Sequence, residues 1–112
     1  MATASPITLK IIRDATPEVM RRLDKNFFRV RFDRQTPSEK IFLRAMAHLG
    51  PDSQRPGDIA TTLGTTAKGI GPVRSKLIEK RMIYGPAHGD MAFTVPLFDE
   101  FMIRAIPEFT PA

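Results

Sequence analysis

Ten prolines and seven glycines are spread through 112 residues, and they cut the chain into short elements. Proline removes an amide donor and fixes φ, while glycine favours turns and helix ends, so the breakers mark where each element starts and stops. Met1 to Pro6 precede an alternation of Ile7, Leu9 and Ile11 with polar residues. Thr16 and Pro17 open a first helix, whose apolar positions Val19, Met20, Leu23 and Phe27 follow helical spacing. In Phe27 to Arg34, Phe28, Val30 and Phe32 alternate with Arg29 and Arg31, the period of a strand or extended connector with one wet face.

The strongest start signal is Thr36-Pro37-Ser38-Glu39. Thr36 can accept from the Glu39 amide, Glu39 can reach back, and Pro37 stands where no amide partner is needed. The helix it opens carries an apolar stripe of Ile41, Phe42, Ala45, Met46 and Leu49, and Gly50-Pro51 ends it. A second helix of about two turns follows in 57–64, with Asp58 in its first turn, Ile59, Ala60 and Leu63 inward, and Gly64 as its stop. A third helix should begin at Gly71 or Pro72, because a proline deeper inside would cost about 3 kcal/mol; Ile70, Val73 and Leu77 face inward. Residues 82–84 and 91–95 flank a Gly-Pro and Gly-Asp loop and read as a hairpin, closed by Pro96. Leu97, Phe98, Phe101, Met102, Ala105 and Ile106 mark a last amphipathic helix.

The expected fold is therefore mainly α with a small β-hairpin, ordered as a winged helix-turn-helix with an extra N-terminal helix and a closing C-terminal helix. Its parts are an N-terminal extension or connector with one short helix, 1–35, the winged helix-turn-helix, 36–106, and a tail, 107–112. The surplus apolar residues of 7–32 should pack on the domain, on a second copy as a homo-oligomer, or on an upstream domain.

Seventeen Lys and Arg against twelve Asp and Glu give a net charge of +5, which favours polyanionic partners. Within residues 65–81, Lys68, Arg74, Lys76, Lys80 and Arg81 face one acid, Glu79. Residues 36–106 as a whole hold nine basic and seven acidic side chains, so this local excess is the sharper signal. If the turn and the start of the third helix enter a major groove, Arg55, Thr65, Thr66, Lys68, Arg74, Ser75, Lys76 and the loop residue His88 are the candidate DNA contacts. That face has no Asn or Gln to read bases, so phosphate contacts should dominate. Arg55 reads equally as a surface arginine, and His88 as a turn residue without a partner.

Catalytic chemistry finds little footing. His48 and His88 lie on different elements without cysteine or metal-ligand spacing, and Asp99 and Glu100 are explained by the dipole of the last helix. Neither a metal nor a cofactor is expected. Without cysteine, a membrane-length apolar run or a signal peptide, the expected location is cytoplasmic, away from membranes.

The stretches RFDRQTPSEKIFLRAMAHLG, GDIATTLG, GPVRSKLIEKRMIY and HGDMAFTVPLFDEFM resemble the C-terminal region of bacterial P-loop ATPases of the AAA type, over about residues 20–106. That arrangement is similar to the replication-initiation ATPases of archaea, in which a nucleotide-binding module precedes a winged helix. The resemblance implies an upstream ATPase domain in the same polypeptide and a DNA-binding role, with no active site in these 112 residues. Gly64 to Gly69 has the glycine spacing of a phosphate loop, but Ile70 and Gly71 stand where Lys and Ser or Thr would be required. The alternative is a protein-interaction or self-association module that regulates the ATPase; a stand-alone regulator would need sequence-selective binding that this face does not offer.

Overall fold

The computed structural model describes residues 16–85 and 89–112. The alternation at Ile7, Leu9 and Ile11, and the loop residue His88, lie outside them. The chain divides into two compact units, Met1–Gln35 and Thr36–Ala112.

The first unit is helical through most of its described length. Thr16 accepts a hydrogen bond from the Val19 amide at 3.3 Å, and Pro17 stands in the first turn, so α1 begins where the sequence placed it and runs Pro17–Leu23. The backbone then stays helical through a π-helical turn, Asp24–Phe28, and into α2, Arg29–Asp33. The extended segment expected over Phe27 to Arg34 is thus a helix. The physical reason is the burial period. Phe28 and Phe32, four residues apart, are buried, whereas Val30 between them is 44% exposed, which no single strand face would give. Aromatic contacts fix the arginines along the helix. Arg31 donates to the Phe27 carbonyl at 2.8 Å with its guanidinium 4.0 Å from that ring centroid, and the Arg29 guanidinium stands 5.3 Å from the Phe32 centroid.

The second unit is built around α3, Pro37–Leu49. Its capping box is complete: the Thr36 hydroxyl accepts from the Glu39 amide at 3.2 Å, and Glu39 Oε1 accepts from the Thr36 amide at 2.8 Å. Gly50, at φ +118°, ends it. Burial on α3 differs from the expected stripe. Every residue from Phe42 to Ala47 is buried, while Ile41 and Leu49 are 42% and 40% exposed. A one-sided stripe would hold only if α3 faced a single layer. Instead it packs on α6, Phe98–Ala105, and also on α4, Pro56–Leu63, and α5, Gly71–Glu79.

Phe98, Phe101 and Met102 of α6, Ile59 and Ala60 of α4, and Leu77 of α5 complete this core. β1, Ile83–Tyr84, pairs antiparallel with β2, Ala92–Phe93, in the register Ile83 opposite Phe93 and Tyr84 opposite Ala92. A further pairing braces the hairpin: Gln54, between α3 and α4, exchanges two 2.8 Å backbone hydrogen bonds with Met91. The Gln54 side chain meanwhile donates to the Met46 and Gly50 carbonyls at 2.7 and 2.6 Å. One residue therefore ties the C-terminal end of α3 to the hairpin. The protein is mainly helical with a two-stranded antiparallel sheet, in the element order the sequence predicts from residue 36 onward.

Residues 107–112, expected as a tail, return onto the second unit. The Ala112 amide donates to the Thr62 carbonyl at 2.9 Å, and the Phe109 ring stands 5.7 Å from the His48 ring. Arg44, 6% exposed, donates through Nε to the Ile106 carbonyl at 2.7 Å, with its guanidinium 4.8 Å from the Phe109 centroid. Burial lowers the pKa of Arg44 from its ordinary value. No helix among the described residues is long and apolar enough to cross a membrane.

Candidate nucleic-acid interface

The surface in question is the turn between α4 and α5 together with the outer face of α5. Gly64 closes α4 in the left-handed conformation, φ +75°, where a side chain would be strained and would also meet the Ala112 methyl group at 2.8 Å. Beyond it Thr65 to Gly69 are all exposed. The turn is held internally: the Thr66 hydroxyl accepts from the Gly69 amide at 3.0 Å, and the Thr66 carbonyl accepts from the Ile70 amide at 3.2 Å. A Cβ at Gly69 would lie 2.5 Å from the Thr65 hydroxyl oxygen and 3.3 Å from the Thr66 carbonyl oxygen, so a larger residue there needs the Thr65 side chain to shift. Ile70 anchors the turn in the core. Pro72 falls in the first turn of α5, as its chemistry demands.

On α5 only Leu77 is buried; Pro72, Ser75, Lys76, Ile78 and Glu79 are exposed, and Val73 and Arg74 are half-buried. The basic residues of 65–81 then separate by environment. Lys68 and Lys76 are exposed, although Lys76 lies 3.7 Å from Glu79 one helical turn on, a solvated pair of small energetic weight. Arg74 donates from Nη2 to the Gly89 carbonyl at 3.2 Å, and its Nε is buried without a partner. It therefore ties α5 to the hairpin loop and does not simply project outward.

Lys80 stays exposed, but its charge is matched by a buried acid. Its ammonium group meets the Glu39 carboxylate at 2.6 Å, and Glu39 is 4% exposed. Burial pushes the Glu39 pKa up, but the Lys80 hydrogen bond, the Thr36 amide and the Lys80 charge outweigh it and hold the carboxyl below its ordinary range. Arg81 is exposed at φ +61°, a left-handed position that lets the Met82 amide reach the Leu77 carbonyl at 3.0 Å and turns the chain into β1.

Arg55 stands at the start of α4, exposed, its carbonyl accepting from the Asp58 and Ile59 amides while its side chain makes no capping bond. Thr65, Thr66, Lys68, Ser75 and Lys76 share the continuous turn and α5, and Arg55 starts the helix before them. Beside the turn, an open, mostly apolar groove of about 410 Å³ runs between Pro37 and Ile41 of α3, Leu63 of α4, and Thr65, Ile70 and Val73. Sequence reasoning missed Gln54, the Glu39 to Lys80 pair and Arg44. Their partners are 37 to 62 residues away or bonded through backbone atoms, and residue type alone carries no signal of either.

No group of His, Asp or Glu side chains among the described residues is arranged to hold a metal ion. The family described as a domain of unknown function, DUF8462, matches residues 25–102. This chain belongs to that family. The DUF8462 span takes in every candidate contact named above and stops inside α6, leaving residues 103–112 beyond it. No curated protein and no solved structure matches the chain.

Proposed function

We propose that the second unit of this DUF8462 protein is a winged helix-turn-helix that grips double-stranded DNA mainly through its phosphate backbone. The observation that carries the reading is the joint display of an exposed turn and an exposed helix face, bearing Lys68 and Lys76, on a helix pair braced by a hairpin. The Gln54 to Met91 bridge supports it, because it holds the hairpin against the segment between the first two helices of this unit. The partner is DNA by charge and shape, and the absence of Asn and Gln from the displayed face limits base readout.

On this reading the domain is the C-terminal module of an AAA-type ATPase, acts in the cytoplasm, and performs no catalytic step itself. Binding of a generic duplex, followed against salt, tests the DNA contact. Each phosphate contact contributes about −0.9 to the slope of log affinity against log salt, so Lys68→Gln and Lys76→Gln should each flatten the slope by about that amount. A duplex that fails to bind at about 50 mM salt sinks the proposal.

A second reading rests on the apolar groove beside α3. A recess of this size with Ile41 exposed at its edge suits a protein partner, either the ATPase module or a second copy. Sedimentation of the chain separates the two: a monomer that binds duplex supports the first, and a dimer disrupted by Ile41→Glu supports the second.

A further inference from the structure

The first unit carries a charged surface that the proposed interface does not use. Six basic side chains occupy residues 16–35; Arg34 caps the C-terminal end of α2, and the helix sorts the other five. Arg22 pairs with Glu18 at 3.5 Å, and Arg31 is held by the Phe27 carbonyl and ring. Arg21, Lys25 and Arg29 are exposed and, with Asp24, line one recess of about 340 Å³. Their four-residue spacing would drift by about 40° per step around a regular α-helix. The π-helical turn Asp24–Phe28 fits more residues into each turn exactly where that drift would accumulate, and so keeps the three cations on one side.

We infer that Arg21, Lys25 and Arg29 form a second phosphate-backbone contact for nucleic acid, separate from the turn and α5. The inference rests on the reading above for its choice of duplex DNA as partner. Arg21 and Arg29 stand at most about 12 Å apart along the helix axis, the value for an α-helical rise of about 1.5 Å per residue that the π-helical turn shortens, which is about three base-pair steps. Charge complementarity favours a polyanion, since three cations face one carboxylate in the recess. A membrane surface fits less well: a helix lying on lipid needs a face of several large exposed apolar side chains, and here Phe28 and Phe32 are buried, leaving Val19 and Val30 as the exposed apolar residues of the described segment. Asp24 is the unfavourable member of the recess, repelling the phosphate that its neighbours attract.

The test uses the full chain, a fluorescent duplex of generic sequence, and salt varied from about 50 to 200 mM. Arg21→Gln, Lys25→Gln and Arg29→Gln combined should flatten the salt slope by about 2 to 3, and Lys68→Gln with Lys76→Gln by a further 2 or so, additively. Asp24→Asn should tighten binding about twofold at low salt. Because Arg29 also stacks on Phe32, Lys25→Gln alone serves as the variant that leaves the helix packing untouched, and it should flatten the slope by about 0.9. An unchanged slope in Lys25→Gln and the triple variant, with the Lys68 and Lys76 variant flattened, overturns this inference and leaves the proposed interface standing. The reverse pattern overturns the α5 interface and supports the helix. Loss of binding to phosphatidylserine vesicles in the triple variant, with duplex binding unchanged, overturns the choice of nucleic acid.

Discussion

α3 and α5 are neighbours in the same core and could hardly be more different as helices. α3 opens with a complete capping box and has six consecutive residues, Phe42 to Ala47, buried, with three other helices packed on it. α5 opens without a side-chain cap, buries only Leu77, and turns charged and polar residues outward. A helix that is buried nearly all round can only be a scaffold, because its surface is spent on other elements. A helix held by one fully buried residue and a few half-buried ones leaves its outer face available to a partner. The contrast separates what holds this domain together from what it can present.

The sharpest way to break that contrast is to empty the scaffold. Phe42→Ala should cost about 3 to 5 kcal/mol of unfolding free energy, measured by denaturant titration, since Phe42 is 1% exposed among large neighbours. A loss below about 1 kcal/mol would show that α3 is not the structural centre.

Glu39→Gln should cost about 1 kcal/mol, because the glutamine oxygen can keep the capping-box bond to the Thr36 amide while the charge that strengthens the Lys80 contact is lost. Its pH dependence follows from the lowered pKa. The folded state prefers the carboxylate, so this stability is fully present above the ordinary value of 4.5 and is lost as pH falls through the lower folded value. Acid unfolding of the parent protein should therefore be steeper than that of Glu39→Gln, and parallel acid limbs would argue against the pair.

Gln54→Ala removes two bonds to the end of α3 and should cost about 1 to 2 kcal/mol. It should also weaken duplex binding if the braced hairpin positions the interface. Arg81→Gly should stabilise by about 0.5 to 1 kcal/mol, because glycine relieves the left-handed strain at φ +61° at a smaller entropic cost. At the exposed end of the range, Lys76→Gln should change stability by less than about 0.5 kcal/mol while still flattening the salt slope. A large stability loss there would mean that α5 is part of the scaffold after all.

The candidate site was legible in outline. Thr65 to Gly69 and the outward face of α5 follow from Gly64, Pro72 and the inward Ile70 and Leu77, all local signals. The state of its charges was not. Lys80 and Arg74 read as surface cations in the sequence, and they became a partner of Glu39 and a tie to Gly89 only because the fold brings those acceptors within reach. The same limit misplaced Phe27 to Arg34. Alternating Phe and Arg satisfies a strand as readily as a helix until burial shows that Phe28 and Phe32 share a side and Val30 does not.

The sequence by itself determined where most elements begin and end, through Thr16, the Thr36 box, Pro72, Gly50 and Gly64, because capping and proline geometry act within four residues. It also determined the class, helices with one small hairpin. Only the tertiary structure decided which faces are buried, that three other helices pack on α3, that Gln54 joins the hairpin, and which cations remain exposed. Those outcomes depend on neighbours distant in sequence, and free energy of burial and pairing is fixed by what the folded chain places nearby, not by the residue alone.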